Sequence, residues 1–312
     1  MRRFLWMIAG LSALCGLFGG DFDIQAHRGG RGLFPENTMA AFVYTIENQL
    51  ANTLELDVVV TKDHVLVVSH DRFLNPQKIQ KDGRFLIFPI PIYSLTREDL
   101  KGYTAGVMRP DYLIAGQKQV PGEPIPTLEE VLALVKRARL ETGRKIMLNI
   151  EMKIVPDKPS ESPDPETFAR LVTDLVSDSE MADQVIIQSF YWEMLLLVRK
   201  NNPALQTAAL YSTANTLKPG YYTPEGRPLP DEELFRRLSG LGVSVFSPRL
   251  EDFSPDWVEN AHRLGIRIIP WTVNRVEDME TLIRYGVDGI ITDYPDRLKE
   301  VLKTLENAQS GG

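Results

Sequence analysis

Two histidines, three carboxylates, an arginine and a lysine fall at or near the ends of short apolar runs in this chain. In Leu54–Val58, Glu55 and Asp57 alternate with Leu54, Leu56 and Val58. A strand turns successive side chains to opposite faces, so the two carboxylates share one face and the apolar residues the other. Side by side on a buried strand, they repel each other and lose hydration, a cost that a cation offsets. Further on, Asn149, Glu151 and Lys153 alternate with Leu148, Ile150 and Met152, which adds a third carboxylate and a lysine on an inward face. Oxygen ligands from Glu55, Asp57 and Glu151 suit one hard divalent ion, magnesium, calcium or manganese, and argue against copper. The competing arrangement pairs these carboxylates with Arg28 and Lys153, but two cations do not neutralise three buried carboxylates.

His27 and His70 are the acid–base candidates, because imidazole changes charge near neutrality. His64 sits in a turn and His262 on a late helix, where solvent exposure is expected. Trp271 follows another apolar run and serves either as a substrate contact or as core. Ser69 and Ser189 lack the G-x-S-x-G context of a serine hydrolase.

These residues must be carried by elements, and the chain alternates strand and helix signals. Strands are expected at Asp23–His27, Thr53–Val60, Lys145–Lys153, Gln184–Gln188, Leu205–Tyr211, Val243–Phe246, Arg267–Val273 and Gly289–Thr292. Val65–Val68 reads as a hairpin arm after the second strand. A helix opens at Pro35-Glu36-Asn37-Thr38 and runs through Asn48, and Thr127 with Glu130 forms a capping box for a helix to Thr142. Further helices are expected at Pro165–Ser179, Tyr191–Lys200, Asp231–Ser239, Pro255–Leu264, Val276–Tyr285 and Pro295–Ala308, with a turn-rich loop over Thr213–Pro230. Eight such alternations give the α/β class and a closed (β/α)8 TIM barrel, whose strand ends converge on one mouth. A doubly wound sheet is the competitor, but Gly29, Gly30 and Gly32 have the wrong spacing for a dinucleotide fingerprint. Residues 71–122 break the rhythm with prolines at 76, 89, 91, 110 and 121, and read as a small subdomain inserted after the second strand. Tyr93, Tyr103 and Phe88 of that segment are candidates to wall the mouth.

Taken together, the motifs resemble a known family. HRGG-x4-PEN-T, ELDV-x-x-T-x-D and SHD, followed by NIEMK, PWTVN and DGIITDYP, look like the glycerophosphodiester phosphodiesterase family, from about Asp23 to about Leu302. The resemblance implies metal ligation by Glu55, Asp57 and Glu151 and hydrolysis of glycerophosphodiesters to glycerol 3-phosphate and an alcohol. It also implies a nucleophile within the substrate: a glycerol hydroxyl attacks phosphorus, and water then opens the cyclic phosphate. Such cleavage needs charge stabilisation on the phosphoryl oxygens, which Arg28 and Lys153 fit, and two proton transfers, which His27 and His70 fit. Trp271 would then pack against the glycerol or head group. Glu36 and Asn37 match the PEN element, with helix capping and loop packing as the plain alternative. A lipid-directed relative, cleaving lysophospholipid or sphingomyelin in the manner of a phospholipase D, would need an apolar rim such as Ile87, Phe88, Ile90 and Ile92. A non-catalytic, glycerophosphate-binding envelope protein would be expected to lack one of His27, Glu55, Asp57 or His70, and all are present.

The composition agrees with a globular enzyme: 43% of the 312 residues are hydrophobic and 25% charged. A net charge of −7 without a basic block argues against nucleic acid as a partner; the small-molecule glycerophosphodiester substrate is what the resemblance implies. A single cysteine, Cys15, excludes an internal disulfide and a multi-cysteine zinc site. Arg2 and Arg3 precede the apolar run Phe4–Phe18, so residues 1–20 read as a signal peptide or an N-terminal membrane anchor, with residues 21–312 as the barrel domain. The run is short for a full span of about 20 residues. The expected location is therefore outside the cytoplasm, periplasmic or anchored on the outer face of the inner membrane.

Overall fold

The computed structural model describes residues 22–216 and 227–310. The expected leader over residues 1–20, and part of the expected loop over Thr213–Pro230, lie outside the described residues. Eight parallel strands form the central sheet: β1 (Asp23–Ala26), β2 (Thr53–Val60), β3 (Met147–Met152), β4 (Val185–Ser189), β5 (Gln206–Tyr211), β6 (Val245–Pro248), β7 (Arg267–Ile268) and β8 (Gly289–Thr292). Their spatial order follows the chain from β1 to β7, and β8 pairs with β1. Backbone bonds from Val273 N to Ile291 O and from Ile291 N to Pro270 O, both 3.0 Å, join the chain after β7 to β8. The sheet thus closes into the expected barrel.

Helices follow the strands: α1 (Met39–Glu47), α2 (Leu128–Thr142), α3 (Pro165–Asp178), α4 (Trp192–Asn201), α5 (Asp231–Leu241), α6 (Asp256–Arg263), α7 (Val276–Tyr285) and α8 (Pro295–Ser310). Leu54, Leu56 and Val58, alternating on β2, are buried in the main apolar cluster with Phe42 of α1 and Leu128, Val131 and Val135 of α2. The other face of each strand lines the barrel interior, which divides in two. On β1–β4 it carries the polar Gln25, Glu55, Asn149 and Gln188, and Ile186 of β4 joins Ala208, Val245, Ile269 and Ile291 in a separate apolar cluster. The polar half is the half that bears the site.

Several boundaries differ from the sequence reading. The first strand stops at Ala26, and His27–Gly29 form a tight turn in which Arg28 takes φ 52 and ψ 36. Helix α1 starts at Met39, not at the PEN element: Thr38 caps it by accepting from the Ala41 N–H, and Asn37 is left-handed with φ 58. A left-handed residue cannot continue a right-handed helix, so the polar triplet stays in the loop. The Thr127–Glu130 capping box is present on α2.

After β2 the chain returns as the short strand Leu66–Val68, antiparallel to β2. Beyond it, Phe73–Leu74 pairs with Ile90–Pro91, and Gln80–Lys81 pairs with both Arg84–Phe85 and Tyr103–Thr104. Leu74, Ile79, Ile92, Leu100 and Tyr103 bury together against Val59 and Val67, giving this segment its own apolar cluster docked on the barrel.

Candidate active site at the carboxyl ends of the strands

The register of the sheet decides which polar residues meet. Asp57 lies beside Glu151 across the β2–β3 ladder, and Glu55 lies beside Asn149. One oxygen each from Glu55, Asp57 and Glu151 falls within 4.8 Å of the others, and all three residues are buried. Asn149 Nδ2 donates to both Gln25 Oε1 (2.8 Å) and Gln188 Oε1 (3.1 Å), while Gln188 Nε2 donates to Glu55 Oε1 at 2.7 Å. The barrel interior thereby fixes the orientation of the Glu55 carboxylate from below.

Arg28 fixes it from the side. Its backbone N–H donates to Glu55 Oε2 at 2.8 Å, a bond made possible by the left-handed turn. Gly29 follows at φ 85, where a Cβ would lie 2.8 Å from the Phe42 ring. The Arg28 guanidinium donates to Glu36 Oε2 (3.0 Å) and lies 3.4 Å from Asp57 Oδ2. Asn37 holds Asp57 a second way, donating from Nδ2 to Oδ2 at 2.8 Å and accepting from its backbone N–H at 3.3 Å. Neither PEN residue is a helix cap: Glu36 holds Arg28, and Asn37 holds Asp57. Lys153 Nζ sits 2.8 Å from Glu151 and 3.7 Å from Asp57.

The two histidines share a design. His27 Nδ1 contacts Asp293 Oδ1 of the β8 end at 2.6 Å, and His70 Nδ1 contacts Asp71 Oδ1 at 3.1 Å. Both carboxyls are held below the usual range: burial would raise them, but His27 outweighs it at Asp293, and the bond from His70 with the charge of Lys78 outweighs it at Asp71. Ionised carboxylates only accept, so Nδ1 of each ring carries the proton and Nε2 is the nitrogen left for a substrate. Burial, then the positive charges of Lys153 and Arg28, push His70 down to about 4. His64 is exposed as expected, whereas His262 is partly buried and pairs with Asp288 at 2.9 Å.

The charge balance is uneven. Six carboxylates (Glu36, Glu55, Asp57, Asp71, Glu151 and Asp293) meet four cations (Arg28, Arg31, Lys78 and Lys153). Leaving the histidines aside, two negative charges are unmatched. The shortfall makes ionisation costly at two residues. Burial and the neighbouring Asp57 charge push Glu55 well above the carboxylate range, and burial holds Glu151 up at about 7 despite Lys153. Asp57 is held low: burial opposes, and Arg28 prevails. Glu55 has neutral donors, Gln188 and the Arg28 backbone, and among the described residues no cation forms an ion pair with it. The pairing of Arg28 and Lys153 with carboxylates is real, but it falls short by the charge of one divalent ion.

His27, Arg28, Glu55, His70, Glu151, Lys153 and Trp271 all line one cavity of about 270 Å³. Trp271 is anchored by Nε1 donating to Ser247 O at 2.8 Å and meets Phe190 edge-on at 5.5 Å, so it is both wall and packing. The aromatic walls come from Phe190, Tyr191 and Trp271. Tyr103 is buried in the cluster of the 71–122 segment, Tyr93 packs against the main core, and Phe88 is 74% exposed away from the cavity lining. Of the expected apolar rim, Ile92 is fully buried, and Ile87 and Phe88 are exposed without lining the cavity.

The sequence profile of the glycerophosphoryl diester phosphodiesterase family matches residues 27–297. The chain belongs to that family. The family's span therefore includes every site residue above. A Caldanaerobacter subterraneus glycerophosphodiester phosphodiesterase is 33% identical over 286 residues, covering 90% of this chain and 97% of its own. A Silicibacter pomeroyi crystal structure superposes with a TM-score of 0.79 at 28% identity, covering 95% of this chain and 98% of that one. An Oleispira antarctica phosphodiesterase in complex with the product sn-glycerol-3-phosphate shares the fold, with a TM-score of 0.70 at 20% identity, covering 90% of this chain and 96% of that one.

Sequence reasoning gave no role to Asp71 and Lys78. Asp71 belongs to the SHD motif and was within reach of such an argument. Lys78 sits in a stretch without periodicity, and no local pattern distinguishes it from a surface lysine.

Proposed function

We propose that this enzyme hydrolyses glycerophosphodiesters to glycerol 3-phosphate and an alcohol. The observation that carries the reading is the cavity in which both carboxylate-backed histidines, Arg28 and Lys153 stand around a carboxylate triad short of two positive charges. Glu55, Asp57 and Glu151 fit one divalent cation, calcium, magnesium or manganese, which would supply charge against the phosphoryl oxygens when bound. Arg28 and Lys153 would face the remaining phosphoryl charge, and Trp271 the glycerol or head group. In the first step a substrate glycerol hydroxyl attacks phosphorus, the head-group alcohol leaves, and a cyclic glycerophosphate forms. His70, neutral at physiological pH, takes the hydroxyl proton through Nε2, and His27 supplies the proton to the leaving oxygen. In the second step water opens the ring, with the two proton transfers reversed. Support comes from the family match and from a phosphodiesterase of the same fold in complex with sn-glycerol-3-phosphate.

The decisive assay follows glycerol 3-phosphate release from glycerophosphocholine and glycerophosphoethanolamine by residues 21–312. Release that stops with chelator and returns with magnesium, calcium or manganese supports both the reaction and the site. A folded protein that releases none with any of the three ions sinks the reading. Residues 1–20 are proposed to direct export, leaving the barrel, with residues 71–122 as its inserted subdomain, in the periplasm or tethered to the outer face of the inner membrane. Cell fractionation tests this, and recovery of the protein only from the cytoplasm overturns it.

A further inference from the structure

Lys78 lies outside the cavity lining, yet it is among the most enclosed cations of the described residues. Its side chain is 8% exposed. Its ammonium stands 2.6 Å from Glu36 Oε1, 2.6 Å from Asp71 Oδ2 and 5.7 Å from the centre of the Tyr112 ring. An enclosed ammonium is tolerated only when its charge is matched, and here two carboxylates match it. Each of those carboxylates turns its other oxygen toward a different part of the site. Glu36 Oε2 takes Arg28 at 3.0 Å and Arg31 at 3.3 Å; Asp71 Oδ1 takes the Nδ1 of His70 at 3.1 Å. Arg28 comes from the turn after β1, and His70 from the turn after the strand that returns along β2. Lys78 comes from the next segment and joins the two.

We infer that Lys78 is a positioning residue for the phosphodiesterase reaction, one buried ammonium that sets the aim of both Arg28 and His70 through Glu36 and Asp71. Without it, two carboxylates face each other across the vacated space with no charge between them. Repulsion at that distance turns them apart, and Arg28 and His70 turn with them. Lys78 contacts none of the carboxylate triad, whose members keep the holds of Gln188 on Glu55, Asn37 on Asp57 and Lys153 on Glu151 when the Arg28 guanidinium turns. The segment after β2 is thereby part of the catalytic apparatus as well as a cover on the barrel. The inference rests on the proposed function, in which Arg28 faces phosphate and His70 moves a proton.

The test is Lys78→Met in the full-length enzyme, with kcat, KM for glycerophosphocholine, metal affinity by calorimetry and histidine ¹⁵N NMR. The expected result is a fall in kcat of about 10- to 100-fold, the range for loss of a group that orients a ligand or catalytic side chain. KM should rise, metal affinity should hold, and the Nδ1-protonated signature of His70 should be lost or broadened. In an Asp71→Asn background the same substitution should cost distinctly less in kcat, because one of its two targets is already neutral. If Lys78→Met does not fold, Lys78→Arg carries the test: it keeps the charge but cannot place a planar guanidinium at both 2.6 Å contacts, and kcat should fall at least about fivefold. Wild-type kcat and an unchanged His70 signal in whichever variant folds overturn the inference, even if its melting temperature drops. A wild-type enzyme that turns over no diester instead sinks the functional reading, and the NMR comparison then still decides whether Lys78 sets His70.

Discussion

At the residue scale, the two histidines differ in what they should cost. His27→Ala and His70→Ala are each expected to lower kcat about 10²- to 10⁴-fold with metal affinity and melting temperature near wild type. If His27 protonates the leaving oxygen, a nitrophenyl glycerophosphodiester, whose leaving group needs no proton, should restore most of the first-turnover nitrophenol release in His27→Ala and none of it in His70→Ala, with ring opening still slow in both. Equal recovery in both variants would reverse or dissolve the assignment. The carboxylates behave differently. Glu55→Gln or Asp57→Asn removes a charge from the triad, so half-maximal activation should move to higher metal concentration, with activity partly restored by excess cation. Asp57→Asn should recover less completely, because Asp57 also holds Arg28, Asn37 and Lys153. A metal titration of both variants separates the two cases.

At the element scale, alternation on β2 and β3 is enough to place Glu55, Asp57, Asn149 and Glu151 inside and the leucines, isoleucine and valine between them outside. That much is legible from local periodicity, as is the capping box of α2. Thr127→Ala should therefore cost about 1 kcal/mol in denaturant unfolding while leaving kcat unchanged, since the lost hydroxyl bonds only Glu130 and the backbone contacts of this segment to Val67 and Val68 remain. A change in kcat would mean that the cap transmits strain to Leu66–Val68, the strand that leads to His70. The left-handed turn at Arg28 and the late start of α1 were not legible. Arginine and asparagine carry no backbone signal as strong as glycine's, and both are held there by partners on β2. Tyr103 as a wall of the cavity and Ile92 as part of an apolar rim were misassigned for a similar reason: both look available in sequence but are consumed by the small cluster that docks their segment on Val59 and Val67.

At the scale of the whole molecule, the ion network gives stability a pH dependence. Burial would raise Glu36, but Arg28 and then Lys78 outweigh it and hold its carboxyl well below the ordinary range. Asp71 is depressed likewise, by the bond from His70 and the charge of Lys78 against its burial. A carboxyl depressed in the folded state contributes stability that is complete above its unfolded pKa, about 4, and is lost as pH falls through the folded value. Acidification below about pH 4 should therefore destabilise the wild type. Glu36→Gln, which leaves Arg28 and Lys78 short of a partner, should cost about 3 kcal/mol at pH 7. Its deficit should shrink at lower pH, as the wild type gives up the same charge. Urea unfolding at pH 7 and pH 3 checks the sign, and a deficit that grows on acidification contradicts it.

The sequence by itself determined the periodic features: eight strand–helix units, the inward carboxylates, the motif histidines and the family they resemble. These follow from local rules, because a strand's two faces and a helix's cap are set by neighbours in the chain. Tertiary structure alone decided which charges meet. The sequence shows acidic and basic residues but not their distances. Closing the barrel brought Asp293 to His27 across the β8–β1 seam, and docking the segment after β2 brought Lys78 to Glu36 and Asp71. Coulomb interactions depend on separation in space and on burial, and neither quantity is encoded locally.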